Sequence, residues 1–337
     1  MIKTLAAIAL TLSFVSAAND KPIAIAIHGG AGTISKAKMT PEVQAQYEAK
    51  LAQAVDRGYA LLAEGKSSEE AVIATIQILE DSPLFNAGVG SVYTYDETHE
   101  LDASVMDGKT LNAGAVAGVK TVKSPIALAS EIMHNSVHVM LSGDGAAQFA
   151  KEQGLEMVDN SHFNTQRRLD SLKRAKQKLG KVSTQEDYIV AHEQLAPAFK
   201  MGTVGAVALD SDGNLYAGTS TGGMTAKRYG RIGDAPIIGA GTYANNESCA
   251  VSATGHGEYF IRYHVAADIC ARVQYQQKSV EQAGSEVIFG PMFKAGGTGG
   301  VIIVDAKGNI AMPFNTSGMY RASKSNVQPR YVAIFKE

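Results

Sequence analysis

The sequence predicts an α+β fold of layered sheets and helices, on three observations. A strand, turn, strand figure occurs at 204–209, Ser211-Asp212-Gly213-Asn214 and 215–220, and returns at 301–305, Ala306-Lys307-Gly308-Asn309 and 310–314. Between these hairpins, residues 258–273 carry Phe260, Ile261, His264, Val265, Ile269 and Cys270 at helical spacing. Strands thus come in runs and helices in runs, without the βαβ alternation of a parallel sheet. With 337 residues, 45% of them hydrophobic and 19% charged, the chain can bury a large core in one or two domains.

The elements follow in order. Met1-Ile2-Lys3, an apolar run to Val15 and the small residues Ser16-Ala17-Ala18 have the pattern of a secretory signal peptide over 1–18. The expected mature protein is exported, periplasmic or secreted, and no later stretch is apolar for long enough to span a membrane. Residues 22–27 predict a buried strand that breaks at the glycine-rich turn His28-Gly29-Gly30-Ala31-Gly32. Thr40-Pro41 opens a helix closed by Gly65, and the capping box Ser67-Ser68-Glu69-Glu70 opens a second. After the loop 81–91 come strands at 91–95, 100–106 and 114–120, then a helix opened by Ser124-Pro125 and another from Asp144-Gly145 to Lys151. The acidic cluster around Asp96, Glu97, His99, Glu100 and Asp102 has no metal-ligand framework and fits a hairpin with solvated ends. The basic run 166–181 predicts a solvated helix within a flexible linker of about 154–202. Cys249 and Cys270 are too few for a disulfide framework. An oxidising compartment permits a bridge, but buried free thiols in a strand and a helix are expected.

The formal net charge of −2 leaves no basic footprint for nucleic acid. The chemistry centres on Gly202-Thr203, where a polar, charged segment turns abruptly into an apolar strand. A threonine hydroxyl needs an adjacent base, and a free α-amine on the same residue, with a pKa of about 8, is one. That amine exists only if the bond after Gly202 is cut. Glycine leaves the carbonyl before Thr203 unshielded, so the Thr203 hydroxyl can attack it. Thr221 offers a hydroxyl to the same site, Thr254-Gly255 a hydroxyl and an N–H for an oxyanion, and Arg231 and Asp234 opposite charges within one bend. A competing pattern, Gly218-Thr219-Ser220-Thr221-Gly222, fits G-x-S-x-G, but no amphipathic helix follows to make an elbow.

Six stretches, in order, carry a resemblance: His28-Gly29-Gly30-Ala31-Gly32, Phe85-Asn86-Ala87-Gly88, Gly202-Thr203-Val204-Gly205-Ala206-Val207, Thr219-Ser220-Thr221-Gly222-Gly223, Gly230-Arg231-Ile232-Gly233-Asp234 and Ala253-Thr254-Gly255-His256-Gly257. From about Pro22 to Arg321 the chain resembles the plant-type asparaginase or isoaspartyl peptidase family of the N-terminal nucleophile hydrolases. The resemblance implies a four-layer αββα sandwich and a precursor that cuts itself between Gly202 and Thr203. Residues 19–202 would then be the α subunit and 203–337 the β subunit of one catalytic domain, with αβ units working as a dimer. It also implies that Thr203 is nucleophile and base, assisted by Thr221, and that Thr254 and Gly255 form the oxyanion hole. Arg231 and Asp234 would grip the α-carboxylate and α-amine of a small substrate, with Gly257 touching it. Catalysis would need no cofactor. The carbonyls of Leu79, Glu80, Ser82, Phe85, Ala87 and Val89 match a loop that holds a structural sodium ion. The implied reaction is release of L-aspartate from asparagine or β-aspartyl dipeptides. Glycosylasparaginases share the Arg231–Asp234 bend but usually carry an acidic residue before the threonine, so Gly202 favours the isoaspartyl branch. His256 stands where relatives often have another small or polar residue. A third reading from size and export alone, an amino-acid-binding protein, has no use for the glycine-flanked threonines.

Overall fold

A computed structural model of the chain describes residues 21–180 and 202–336; the expected signal peptide and residues 181–201 of the expected linker lie outside them. The strands are β1 (Ala24–Gly32), β2 (Leu101–Asp107), β3 (Ala113–Val119), β4 (Met140–Ser142), β5 (Val204–Leu209), β6 (Leu215–Thr221), β7 (Thr242–Ala244), β8 (Cys249–Gly255), β9 (Gly299–Asp305), β10 (Ile310–Ala311), β11 (Gly318–Ser325) and β12 (Tyr331–Phe335). Eight of them form one sheet in the order β12-β11-β1-β5-β6-β2-β3-β4, and four form a second in the order β10-β9-β8-β7. All neighbours are antiparallel except β3 and β4.

Helices α1 (Pro41–Ala63), α2 (Ser68–Glu80) and α3 (Pro125–Asn135) cover the outer face of the large sheet, while α4 (Gly143–Glu152) packs near its β3–β4 edge. Across the molecule, α7 (Val265–Gln276) and α8 (Val280–Ile288) cover the small sheet, flanked by the short helices α6 (Gly257–Arg262) and α9 (Pro291–Lys294). The two sheets face each other, so the layers run α, β, β, α.

Strand alternation distributes the side chains among these layers. In β1, Ile25 and Ile27 join Leu51, Val72 and Ile76 beneath the helices, while Ala24 and Ala26 face Ile302 and Val304 of the small sheet. Each fully buried Ile contributes about 1.5–3 kcal/mol. Between the small sheet and its helices, Val251, Ala253, Ile269, Val287 and Ile303 form the third apolar layer.

Several expectations are corrected. β1 does not break at His28 but runs on to Gly32, absorbing the glycines through a register shift between His28 and Gly30. Residues 91–95 form no strand, only an isolated bridge from Thr94 to Lys227. Helical residues 258–273 are two helices, interrupted where His264 takes φ +47°. The described first half of the expected flexible linker is ordered: α5 (Gln166–Leu179) buries Leu172, Ala175 and Leu179 against Tyr93 and Ala226. Its Arg168 is not solvated but buried, donating from Nε to the Gly90 carbonyl at 2.7 Å. Cys249 and Cys270 are not free thiols but a disulfide joining β8 to α7, their Cα atoms 5.4 Å apart. A strand and a helix packed face to face bring the two thiols within bonding reach, a proximity that 20 intervening residues do not reveal.

Candidate active site

The period of two that sorts apolar residues also gathers the polar ones. Thr203 lies two residues before Gly205 and four before Val207, on the side of β5 that faces the small sheet. Thr219 and Thr221 of β6, Asp102 and Ser104 of β2, His28 of β1 and Ser252 and Thr254 of β8 face the same interlayer. The middle of the sandwich is therefore apolar towards one end and lined with hydroxyls towards the other.

At that polar end a cavity of about 20 Å³ is lined by Gly202, Thr203, Thr221, Arg231, Asp234, Thr254 and Gly255, seven of the eight residues that the sequence points to for cutting, catalysis and substrate binding. The eighth, Gly257, borders it: a Cβ there would fall 2.9 Å from both Arg231 Nη2 and Asp234 Oδ1. In the unbroken chain the space suffices for about one water.

The Thr203 hydroxyl donates to Thr221 Oγ1 at 3.2 Å, and Thr221 Oγ1 also accepts the Gly223 N–H at 3.0 Å. Thr254 Oγ1 accepts the Ala31 N–H at 3.2 Å, which leaves its own proton to donate. Gly202 has φ +94°, a conformation open to glycine, and a Cβ on it would lie 2.9 Å from the Gly29 carbonyl oxygen. The Gly202 carbonyl is held by the Asn86 N–H at 3.1 Å. Asn86 is itself fixed on every side: its Oδ1 accepts the Val92 N–H, its Nδ2 donates to the Gly223 carbonyl and its own carbonyl accepts the Gly222 N–H.

Arg231 and Asp234 are not a surface ion pair. Arg231 directs Nε and Nη2 at Glu258 Oε1, at 3.0 and 2.9 Å, and the far oxygen of Glu258 lies 3.4 Å from His256 Nε2. Burial raises the Glu258 carboxyl, but the charge and hydrogen bond of Arg231, the group's own backbone N–H and the His256 ring together outweigh it and hold the group below its usual range. Asp234 is buried, with Oδ2 lacking a hydrogen-bond partner among the described residues. Burial pushes it up to about 7 against the pull of Arg231. An acid with one oxygen open among the described residues and a cation thus share one pocket wall.

Ser220 of the competing motif faces the other way, donating to Glu80 Oε1 at 2.6 Å beneath the helices, so no serine triad forms. In the loop that follows α2, a Cβ on Gly88 would lie 2.3 Å from the Glu80 carbonyl oxygen. One on Gly90 would lie 1.9 and 2.9 Å from those of Phe85 and Ser82. The carbonyls of Leu79 and Ala87 accept the N–H groups of Ser82 and Gly90.

His28, Asn86, the Glu80 side chain and Glu258 have no role that the sequence alone reveals. His28 and Asn86 were in plain view, inside matched motifs, but their contacts join segments more than 100 residues apart.

Residues 21–334 match the family model described as asparaginase. The chain is 49% identical over 298 residues to the isoaspartyl peptidase of Escherichia coli (strain K12), covering 88% of this chain and 91% of that protein. It is 41% identical over 300 residues to the plant-type L-asparaginase of Pyrococcus horikoshii, covering 88% and 94%. It is 40% identical over 308 residues to the isoaspartyl peptidase/L-asparaginase of Xenopus laevis, covering 91% and 94%. With a family model matched across nearly all of its described length and relatives this similar, the chain belongs to the asparaginase family.

Proposed function

We propose that this chain is an exported, self-processing threonine hydrolase that releases L-aspartate from β-aspartyl dipeptides and L-asparagine. The observation that carries this is the convergence of Gly202, Thr203, Thr221, Thr254 and the Arg231–Asp234 pair on one cavity. The names of the similar proteins, isoaspartyl peptidase and L-asparaginase, support the substrate class.

In the cut, Thr203 Oγ1 attacks the Gly202 carbonyl carbon and its proton passes to the departing Thr203 nitrogen. The Asn86 N–H meets the charge growing on the carbonyl oxygen. Water then hydrolyses the ester, leaving a Gly202 carboxylate and a Thr203 amine. In turnover that amine takes the Oγ1 proton as Oγ1 attacks the substrate's side-chain carbonyl. Thr221 orients Oγ1, and the Thr254 hydroxyl with the Gly255 N–H stabilises the oxyanion. Ammonia or an amine leaves with the proton, and water releases aspartate. Arg231, Asp234 and Gly257 hold the amino-acid end in a fixed place relative to Thr203.

The Glu80 carbonyl lies against Gly88, and those of Phe85 and Ser82 lie against Gly90. An uncharged all-oxygen donor set suits a hard cation, and a sodium ion bound there would brace the loop that carries Asn86. The exposed apolar side chains of Val137, Val139 and Met140 at the β4 edge support pairing of two αβ units. Light scattering of processed protein checks this, and the mass of a single unit would rule it out.

Amino-terminal sequencing of the purified exported protein tests the reading directly. Two starts are expected, one just after Ala18 and one at Thr203, and a Thr203→Ala chain is expected to stay whole and inactive. A chain still beginning at Met1 would refute export. A second start anywhere but Thr203, or cutting of the alanine chain, would refute the mechanism.

A further inference from the structure

The β1–β5 ladder pairs Ala24 with Leu209 and ends with His28 opposite Gly205. Two further steps would set Gly30 opposite Thr203. They do not follow, because β1 shifts register between His28 and Gly30 and Gly30 turns to φ +111°. A Cβ on Gly30 would fall 2.1 Å from Gly202 Cα, so only glycine can pass there. The Thr203 carbonyl is met instead by the His28 ring, with Nδ1 at 3.0 Å.

A carbonyl only accepts, so Nδ1 carries the proton. The ring is fully buried, and burial lowers its pKa to about 3 against the opposing effect of the Thr203 bond, so it is neutral. Nε2 is therefore bare and accepts the Ser252 hydroxyl proton at 3.0 Å. With the Ser252 proton spent on Nε2, the bond to Thr219 runs from Thr219, whose Oγ1 also lies 3.2 Å from the Gly241 carbonyl. Ser252 accepts from Thr219 at 2.6 Å, and Thr219 accepts from Thr242 at 2.6 Å. Ser104 closes the string, within 2.7 Å of Thr242 and 2.6 Å of the Ala235 carbonyl, the residue after Asp234. The hydroxyl string passes twice from the large sheet to the small one and back, and it ends on the bare Nε2 of His28.

We propose that His28 is a positioning residue for the nucleophile, standing in for the missing ladder donor and holding the main chain of Thr203 once it becomes a chain end. This rests on the self-processing reading above. After the cut Thr203 loses its tether to Gly202. Holding its carbonyl fixes the 203–204 peptide plane and the Cα, so only rotations about Cα–C and Cα–Cβ remain to aim the amine and Oγ1. Arg231 and Asp234 lie outside these strands and hold the substrate independently of His28.

The test compares two amides of similar polarity. His28→Asn places a donor near the Nδ1 position, and His28→Gln places one near Nε2, beside Ser252 but away from Thr203. Self-cleavage rate, and kcat and KM per processed chain, are measured with β-aspartyl-leucine, alongside thermal midpoints. The Asn variant is expected to stay within a few-fold of wild type. The Gln variant is expected to lose about 100-fold in cleavage rate and kcat at unchanged KM, the scale of a misplaced reacting group. A Gln variant equal to wild type overturns the proposal. So do equal losses in both variants that track a fall in thermal midpoint. The 15N spectrum of labelled wild-type protein is expected to show His28 neutral with Nδ1 protonated, and protonation at Nε2 overturns the proposal whatever the kinetics show. If wild type itself neither cuts nor hydrolyses, the self-processing reading fails, while the nitrogen spectrum still decides the role of the ring.

Discussion

Asp234 meets the pocket as a buried acid with one oxygen unpartnered among the described residues. Its pKa of about 7 governs how the site behaves with pH. As pH falls through that value the carboxylate is neutralised and no longer pairs with a substrate ammonium, so KM is expected to rise about tenfold per unit. On the self-processing reading the Thr203 α-amine, a group whose ordinary pKa is about 8, is expected to show in kcat, so the two limbs separate in the two parameters. Asp234→Asn should remove the acid limb of KM and leave that of kcat; a KM limb that survives would assign it elsewhere. The three threonines were legible in the sequence because glycines and apolar strands frame them. Their common orientation follows from strand period once β5 pairs with β6 and the two sheets face each other. His28 was not legible, because a histidine before two glycines has the same appearance in a turn as in a bulged strand, and only the register of β1 against β5 and β11 distinguishes them.

At the scale of elements, helix starts were readable from their caps. Thr40 Oγ1 accepts the Val43 N–H, and Ser67 with Glu70 forms the reciprocal box. The end of α2 is less ordinary. Glu80 is buried and accepts from Ser220 at 2.6 Å, Ser124 at 2.6 Å and the Ile126 N–H at 3.1 Å, tying α2 to β6 and α3. Burial raises its pKa from 4.5 to about 7 in spite of those bonds. The folded state thus holds a proton that the unfolded chain releases earlier. The stability this confers is full below the unfolded value and lost as pH rises through about 7, a swing of ~3 kcal/mol. In the uncut Thr203→Ala background, Glu80→Gln should gain stability relative to Glu80 between pH 5 and pH 8 by urea unfolding. A difference independent of pH would show that another group titrates. In the basic helix α5 Arg167 is exposed as expected and reaches the Pro83 and Leu84 carbonyls, while Arg168, which reads as solvent-facing charge, is buried on the Gly90 carbonyl.

Across the whole molecule, the layer order was legible because hairpins and helices each come in runs, but the way the two halves of the chain share one sheet was not. β1, β2, β3 and β4 precede Gly202, and β5, β6, β11 and β12 follow it. In the large sheet β1 lies between β11 and β5, and β6 lies against β2. Three seams therefore join the halves by ladder bonds and buried side chains, so cutting after Gly202 frees a chain end without freeing either half. Cys249 and Cys270 both fall after Gly202. Once the backbone is severed no covalent bond spans the halves. Detergent without any thiol should therefore suffice to resolve the processed protein into two bands on a gel, and adding a reductant should alter the migration of the carboxy-terminal band alone. A single band that splits only on reduction would mean that the cysteines had found partners across the cut.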